Sequence, residues 1–337
     1  MSERITLNHG SGGSQMNDLI REVFVGAFRN EFLEELPDAA SIPWDSSSMV
    51  FTTDSYVVDP LFFPGGDIGK LAVCGTVNDL AVSGATPLYL SAGFIIEEGL
   101  EISVLKRIVQ SMATEAQKAG VKIVTGDTKV VPRGKADRLF INTAGVGRMH
   151  ACVKEAFIPD RVKAGDKILV NGPLGEHAIA ILSARNEMQF ESEVLSDSAC
   201  MNGLIDNILE NHKGIRFMRD ITRGGLATVL CELASILDLG LEIHEDNLPV
   251  SESVKGVCEL LGYDPLYLAN EGRVMLVADS SESEAILRTM QNHPLGEDAR
   301  IIGEVVPDHP EMLICHTSIG SKRIVNMLSG EMLPRIC

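Results

Sequence analysis

Strand-length and helix-length apolar patterns alternate along this chain, and the alternation runs through twice. In the first pass, residues 49–53 read as a strand, 68–83 as a helix and 88–96 as a strand. Residues 102–118 then read as an amphipathic helix with Leu105, Ile108, Val109 and Met112 on one face, followed by strands at 122–131 and 139–146. The pattern restarts after Pro159 with a strand at 167–170 and a helix at 226–237, whose apolar side carries Leu226, Val229, Leu230, Leu233 and Leu237. Strands at 241–244, 274–278 and 301–305 alternate with helices at 254–261 and 283–291. This predicts two mixed α/β halves joined near residues 150–165, and 337 residues suffice for a core in each. Ahead of them, residues 15–36 have helical spacing and 37–48 read as a linker.

With 29 Lys and Arg against 47 Asp and Glu, the formal charge is −18. Phosphate backbones and anionic bilayers are repelled by such a field, so non-specific nucleic-acid or membrane binding is not expected, although a local basic pocket is still allowed. No apolar run of about 20 residues is present to span a bilayer. Met1 to Ile5 lead into polar sequence rather than the apolar stretch of a signal peptide. Seven cysteines are scattered without a Cys-x-x-Cys pair, which signals neither a disulfide framework nor a zinc site. A reduced, cytoplasmic protein is expected.

Four acidic segments stand beside glycine or at element boundaries: Thr-Thr-Asp-Ser at 52–55, Thr-Val-Asn-Asp at 76–79, Thr-Gly-Asp-Thr-Lys at 125–129, and Asp-Ile-Thr-Arg-Gly-Gly at 220–225. Carboxylates at strand ends suit Mg²⁺, which takes a few protein oxygens together with phosphate oxygens. Each Asp could equally form a turn or cap a helix. The glycine-rich segments His9–Gly13 and Gly224-Gly225 could turn backbone N–H groups toward phosphates, the second directly at a helix start, or simply form turns. Neither fits a Walker or dinucleotide fingerprint.

Beyond Thr317 periodicity weakens, and the last twenty residues read as a mobile tail ending in Cys337. An exposed thiol at that position invites oxidation unless it has a task. It is not a prenylation signal, which needs the cysteine four residues from the end.

In combination, His-Gly-Ser-Gly-Gly at 9–13, the run from Thr53 to Gly66, Gly-Thr-Val-Asn-Asp at 75–79, Thr-Gly-Asp-Thr-Lys-Val-Val at 125–131, the segment 220–225, Ala-Asn-Glu-Gly at 269–272 and Pro-Arg-Ile-Cys at 334–337 resemble one family. It is the HypE hydrogenase-maturation family, in the superfamily of aminoimidazole ribonucleotide synthetase and selenophosphate synthetase. The closing Pro-Arg-Ile-Cys is the most specific element, since the related synthetases do not end this way.

The resemblance implies an α+β, two-domain synthetase-like fold. It divides the chain into a glycine loop and helix at 1–40, an ATP-binding and dimerisation domain at 41–155, a second domain at 160–317 and a tail at 318–337. It also implies ATP-dependent dehydration of a carbamoyl group on Cys337 to a thiocyanate, the cyanide passing to the iron of a nickel–iron hydrogenase. On that reading Asp54, Asp79, Asp127 and Asp220 hold Mg²⁺, while Gly12, Gly13, Lys129, Arg223 and Gly224 contact ATP. Glu271 is the candidate general base, with His177 and His244 as alternatives. The implied partners are a second copy in a homodimer, the carbamoyltransferase HypF, and the HypC–HypD complex. A selenophosphate synthetase would need a reactive Cys or selenocysteine in the 9–13 loop, which has none. A non-catalytic scaffold with a docking tail would need no nucleotide.

Overall fold

The computed structural model describes residues 13–19, 40–44, 47–153, 159–185, 193–330, 333 and 335–337. His9 to Gly12 lie outside them, and the helix expected over 15–36 is described only at α1 (Ser14–Leu19). The first half comprises β1 (Ala40–Trp44), β2 (Ser47–Tyr56), a small hairpin of β3 (Phe62–Phe63) and β4 (Gly66–Asp67), then α2 (Ile68–Val82), β5 (Ala85–Glu97), α3 (Ile102–Ala119), β6 (Lys122–Val131) and β7 (Leu139–Met149). Its sheet has the order β1-β2-β7-β5-β6, antiparallel except for β5 beside β6.

α2 is the central element. The Asp67 carboxylate caps it, accepting from the Gly69 and Lys70 N–H groups at 2.8 and 3.0 Å, a contact type worth about 1 kcal/mol. Every residue of α2 except Lys70 and Asp79 is buried, as a helix apolar on all sides must be. One side lies on β2, β5 and β7. Gly75 permits this closeness, because a Cβ there would sit 2.2 Å from the Tyr56 hydroxyl oxygen.

The second half contains β8 (Lys167–Val170), α4 (Glu176–Ala184), α5 (Asn202–Asn211), β9 (Ile215–Asp220), α6 (Gly225–Ala234), β10 (Gly240–His244), α7 (Glu252–Leu261), β11 (Val274–Ala278), α8 (Ser283–Gln291), β12 (Arg300–Val306), β13 (Leu313–His316) and β14 (Lys322–Val325). Their sheet runs β14-β13-β10-β12-β8-β11-β9. The other side of α2 meets α5 and β9, so one helix is shared by both halves. One apolar cluster accordingly joins Tyr56, Leu71 and Ile141 to Ile179, Val254 and Leu268.

Two segments differ from the sequence reading. The linker of 37–48 contains β1, which pairs with β2 from Ala40–Phe51 to Trp44–Ser47. Pro43 and the short length disguise it, as befits an edge strand. Within the tail of 318–337, β14 extends the second sheet by pairing with β13. Alternating exposure of only four residues is too short a signal to read from sequence.

Candidate active site

After β14 the chain crosses back to the first half. The Val57 N–H donates to the main-chain oxygen of Cys337 and the Asp59 N–H to that of Arg335, both at 3.2 Å. Arg185 adds a 2.7 Å bond to the Arg335 oxygen, and the Arg335 guanidinium pairs with Asp137 at 2.6 Å. From α4, His177 Nε2 lies 2.7 Å from the Ile336 oxygen, with Nδ1 2.8 Å from Ser196 Oγ. Ile336 and Cys337 are thereby 4% and 9% exposed, and both belong to the apolar cluster shared by the halves.

Around the Cys337 thiol stand groups from three places. Glu271 precedes β11, Asp54 and Tyr56 lie on β2, and Arg223 is in the turn between β9 and α6. Burial pushes the Cys337 thiol far above its usual range; Arg223 opposes this, while Glu271 and Asp54 add to it. Burial also pushes the Glu271 carboxyl well up, helped by the charges of Asp54, Asp197 and Asp220 and opposed by Arg223. Glu271 Oε1 is buried without a hydrogen-bond partner. When Cys337 is ionised, its charge is the main influence that raises the proton affinity of Arg223. Burial, then Asp54, Asp79 and Glu271, raises the Tyr56 hydroxyl. A thiol, an acid with high proton affinity and a permanent cation thus share one enclosed space.

Asp79 faces the same region from α2 and accepts from Thr52 Oγ1 at 2.9 Å. Asp220 ends β9 and is 8% exposed. Gly224 and Gly225 both have positive φ, and a Cβ at Gly225 would lie 2.4 Å from the Leu266 oxygen. The start of α6 therefore follows directly on Arg223, its first N–H, that of Gly225, donating to the Thr222 oxygen at 3.0 Å. Gly13 is packed elsewhere, against Leu328, whose oxygen accepts from Ser14 N–H at 2.9 Å.

Asp127 and Lys129 are not brought to this cluster within one chain. They pair with each other at 2.8 Å on β6, both about two-thirds exposed, at 68% and 69%. Asp54 shares its register row with Thr143, Ala92 and Gly126, whereas Asp127 shares the next row with Gly93, Asn142 and Ser55. Adjacent rows face opposite sides, and three strand spacings separate β2 from β6 by about 14 Å. Among the described residues, no three ligand atoms from the four expected aspartates lie within 4.8 Å of one another.

Several residues that sequence reasoning did not single out build the site. Asn78 Nδ2 donates to the Ala199 and Glu271 oxygens at 3.0 and 3.3 Å, and its Oδ1 accepts from Met201 N–H at 2.7 Å. The Asp197 carboxylate accepts from the Glu271 and Gly272 N–H groups at 3.1–3.3 Å. Gly272 is required there, since a Cβ would meet the Asp197 oxygen at 2.0 Å. Asn78 lay within the recognised acidic segment; Asp197 has no flanking signal. His177 was the alternative base, and the structure seats the tail on it. His244 stacks on His316 at 4.5 Å in the second sheet.

The chain matches two family models, the N-terminal domain of AIR synthase related protein over residues 37–149 and the C-terminal domain over 163–316. It is 49% identical over 337 residues to a carbamoyl dehydratase HypE of Cupriavidus necator, covering 100% of this chain and 95% of that protein. Against a HypE of Escherichia coli identity is 47%, with 99% of each covered. Among solved structures, a HypE–HypF complex matches with TM-score 0.86 and 48% identity over 92% of this chain and 99% of that one. A HypE in complex with ATP matches with TM-score 0.82 and 45% identity over 99% and 100%. A ThiL complexed with AMPPCP and TMP, at 19% identity and TM-score 0.70 over 97% and 99%, shares the fold. The chain belongs to the HypE family of carbamoyl dehydratases, built on the two-domain AIR synthase-related fold.

Proposed function

We propose that this chain carries a carbamoyl group on Cys337 and dehydrates it with ATP to a thiocyanate, whose cyanide supplies the iron of a nickel–iron hydrogenase. Near-50% identity to carbamoyl dehydratases and the likeness to an ATP-bound relative support the reaction and the nucleotide. The observation that carries the residue assignment is the enclosure of Cys337 by Glu271 and Arg223.

The chemistry accounts for these residue types. An amide oxygen leaves poorly. Attack of the carbamoyl oxygen on the γ-phosphorus of ATP expels ADP, and that oxygen then departs as phosphate. The nitrogen gives up both protons and a carbon–nitrogen triple bond remains, so the thioester-like group has lost one water. Glu271 takes a nitrogen proton: burial raises its proton affinity and makes its carboxylate a stronger base than an exposed one. Arg223 sets a fixed positive charge beside the reacting group. Enclosure also keeps bulk water from the activated carbon.

Asp54, Asp79 and Asp220 are the residues that would hold Mg²⁺, since all are hard oxygen donors and this ion needs one or two carboxylates plus phosphate oxygens. When bound, the ion supplies charge neutralisation for phosphoryl transfer. The relative solved with HypF supports a carbamoyltransferase as the protein that loads Cys337, and HypC–HypD is the expected recipient. Loading and delivery require the tail to leave its seat and return. A second copy is expected on the outer face of the first sheet, where Phe51, Tyr89 and Ile95 are 40%, 43% and 44% exposed. Asp127 and Lys129 lie in that sheet's edge strand, so a neighbouring copy is their natural route to a nucleotide.

The test is direct. Carbamoyl-loaded protein incubated with Mg-ATP should lose the mass of one water from its C-terminal peptide; an unchanged mass would overturn the assignment.

A further inference from the structure

Cys74, Glu115 and Cys200 come from three separate elements: α2, α3 and the segment leading into α5. Their ligand atoms all lie within 4.8 Å of one another, the one such group of three or more among the described residues. The two sulfurs are 3.3 Å apart. Cys74 is fully buried and Glu115 is 8% exposed, with Cys200 partly open. Lys118, 64% exposed, reaches Glu115 Oε1 at 2.8 Å from the solvent side. None of these residues takes part in the reaction above.

We propose that Cys74, Cys200 and Glu115 form a binding site for a soft divalent metal ion of the zinc type, which staples the first half to the strand-side segment holding Glu271. Two thiolates and a carboxylate are a donor set that zinc accepts, with a fourth position left for water on the Cys200 side. Sulfur atoms sharing a tetrahedral zinc at 2.3 Å stand about 3.8 Å apart, whereas a disulfide closes them to about 2.05 Å. The observed 3.3 Å must open by about 0.5 Å for the first and shrink by about 1.2 Å for the second. A carboxylate as third neighbour also has a purpose beside a cation and none beside a disulfide. Binding balances as one dication entering and two thiol protons leaving, with the ion and three ligands joined by coordinate bonds.

The location gives the site a structural task. Cys200 adjoins Met201, whose N–H is held by Asn78, and Ala199, whose oxygen accepts from Asn78 and whose N–H donates to the Glu271 oxygen at 3.4 Å. An ion between Cys74 and Cys200 fixes that strap to α2 at the point where it supports the acid.

The experiment is Co²⁺ titration of the reduced, full-length protein without air. One equivalent should produce thiolate-to-cobalt charge transfer in the near ultraviolet together with intense tetrahedral visible bands, and Zn²⁺ should displace it. Cys337→Ala should retain the spectrum, which separates this site from the catalytic thiol. Cys74→Ser and Cys200→Ser should lose it, and Glu115→Gln should weaken binding by at least the tenfold or so that follows loss of even an outer-shell partner. Circular dichroism establishes that each variant is folded; should a cysteine variant not fold, the Glu115→Gln affinity decides. Absence of the charge-transfer band, its disappearance in Cys337→Ala, unchanged binding in Glu115→Gln, or a Cys74–Cys200 disulfide in the freshly prepared protein would each overturn the proposal.

Discussion

His177 Nε2 lies 2.7 Å from the Ile336 oxygen, and this single bond ties α4 of the second half to the end of the tail. The ring is fully enclosed, with Ser196 Oγ 2.8 Å from its other nitrogen. Removing it leaves a buried carbonyl without its donor, a loss of roughly 1–1.5 kcal/mol. His177→Ala should therefore raise the rate at which a maleimide labels Cys337 by about tenfold. Mass spectrometry of the C-terminal peptide separates this thiol from the other six cysteines.

Burial lowers the His177 pKa below its usual value. Above about pH 6.5 the ring is neutral whether folded or unfolded. As pH falls below that value the unfolded chain gains a proton that the folded chain refuses, so stability declines. The melting temperature should fall from pH 6.5 toward 5, and His177→Phe should flatten that part of the profile. A profile identical to the parent protein would show that another group controls it.

For Glu271 the sign is reversed. Its folded pKa is raised, so it costs nothing below about pH 4.3, and the cost grows as the unfolded carboxyl ionises above that value. Glu271→Gln should accordingly melt at a higher temperature than the parent at pH 7 while losing at least a hundredfold in dehydration rate, the usual scale for a general base. Calorimetry and the peptide-mass assay read the two effects separately.

Arg223 is the cation that favours the thiolate of Cys337. Arg223→Met keeps the apolar stem and removes the charge. Alkylation of Cys337 should then require a higher pH, and dehydration should slow with it. An unshifted alkylation profile would remove Arg223 from the thiol's surroundings.

Cys337→Ala deletes one sulfur, at a cost on the order of 1 kcal/mol. The main-chain bonds of Arg335, Ile336 and Cys337 to Asp59, His177 and Val57 involve no cysteine side chain. The variant should keep its circular dichroism spectrum and accept no carbamoyl group. A collapsed spectrum would mean that the thiol itself supports the fold.

Long periodic segments were legible in the sequence. Lys122–Val131, Lys167–Val170, Val274–Ala278 and Ser283–Gln291 have the bounds their apolar spacing predicts. α5 and β9 escaped that reading, because Leu204, Ile205, Ile208 and Leu209 form a narrow stripe among Asn and Asp, and the polar Arg216 and Arg219 interrupt β9. At the site, Asp54, Asp220, Arg223, Glu271 and Cys337 were recognisable by motif and do converge. Asp127 and Lys129 belong to an equally clear motif, yet strand alternation turns them to the other face. Asp197 and Ser196 could not be foreseen: their work is to hold a backbone and a ring that come from distant segments. The thiol pair at 74 and 200 was invisible for the same reason, since 126 residues separate what the fold makes neighbours.

Ile336 shares its apolar surroundings with Tyr56, Val58 and Ile179, immediately ahead of the reactive residue. Burying such a side chain contributes about 1.5–3 kcal/mol, so this anchor alone lengthens the dwell of the tail roughly ten- to a hundredfold. That is a clutch rather than a lock. On the function proposed above, the thiol would wait beside the acid and the arginine long enough for chemistry, and another protein with a comparable apolar slot would draw it out without unfolding either half.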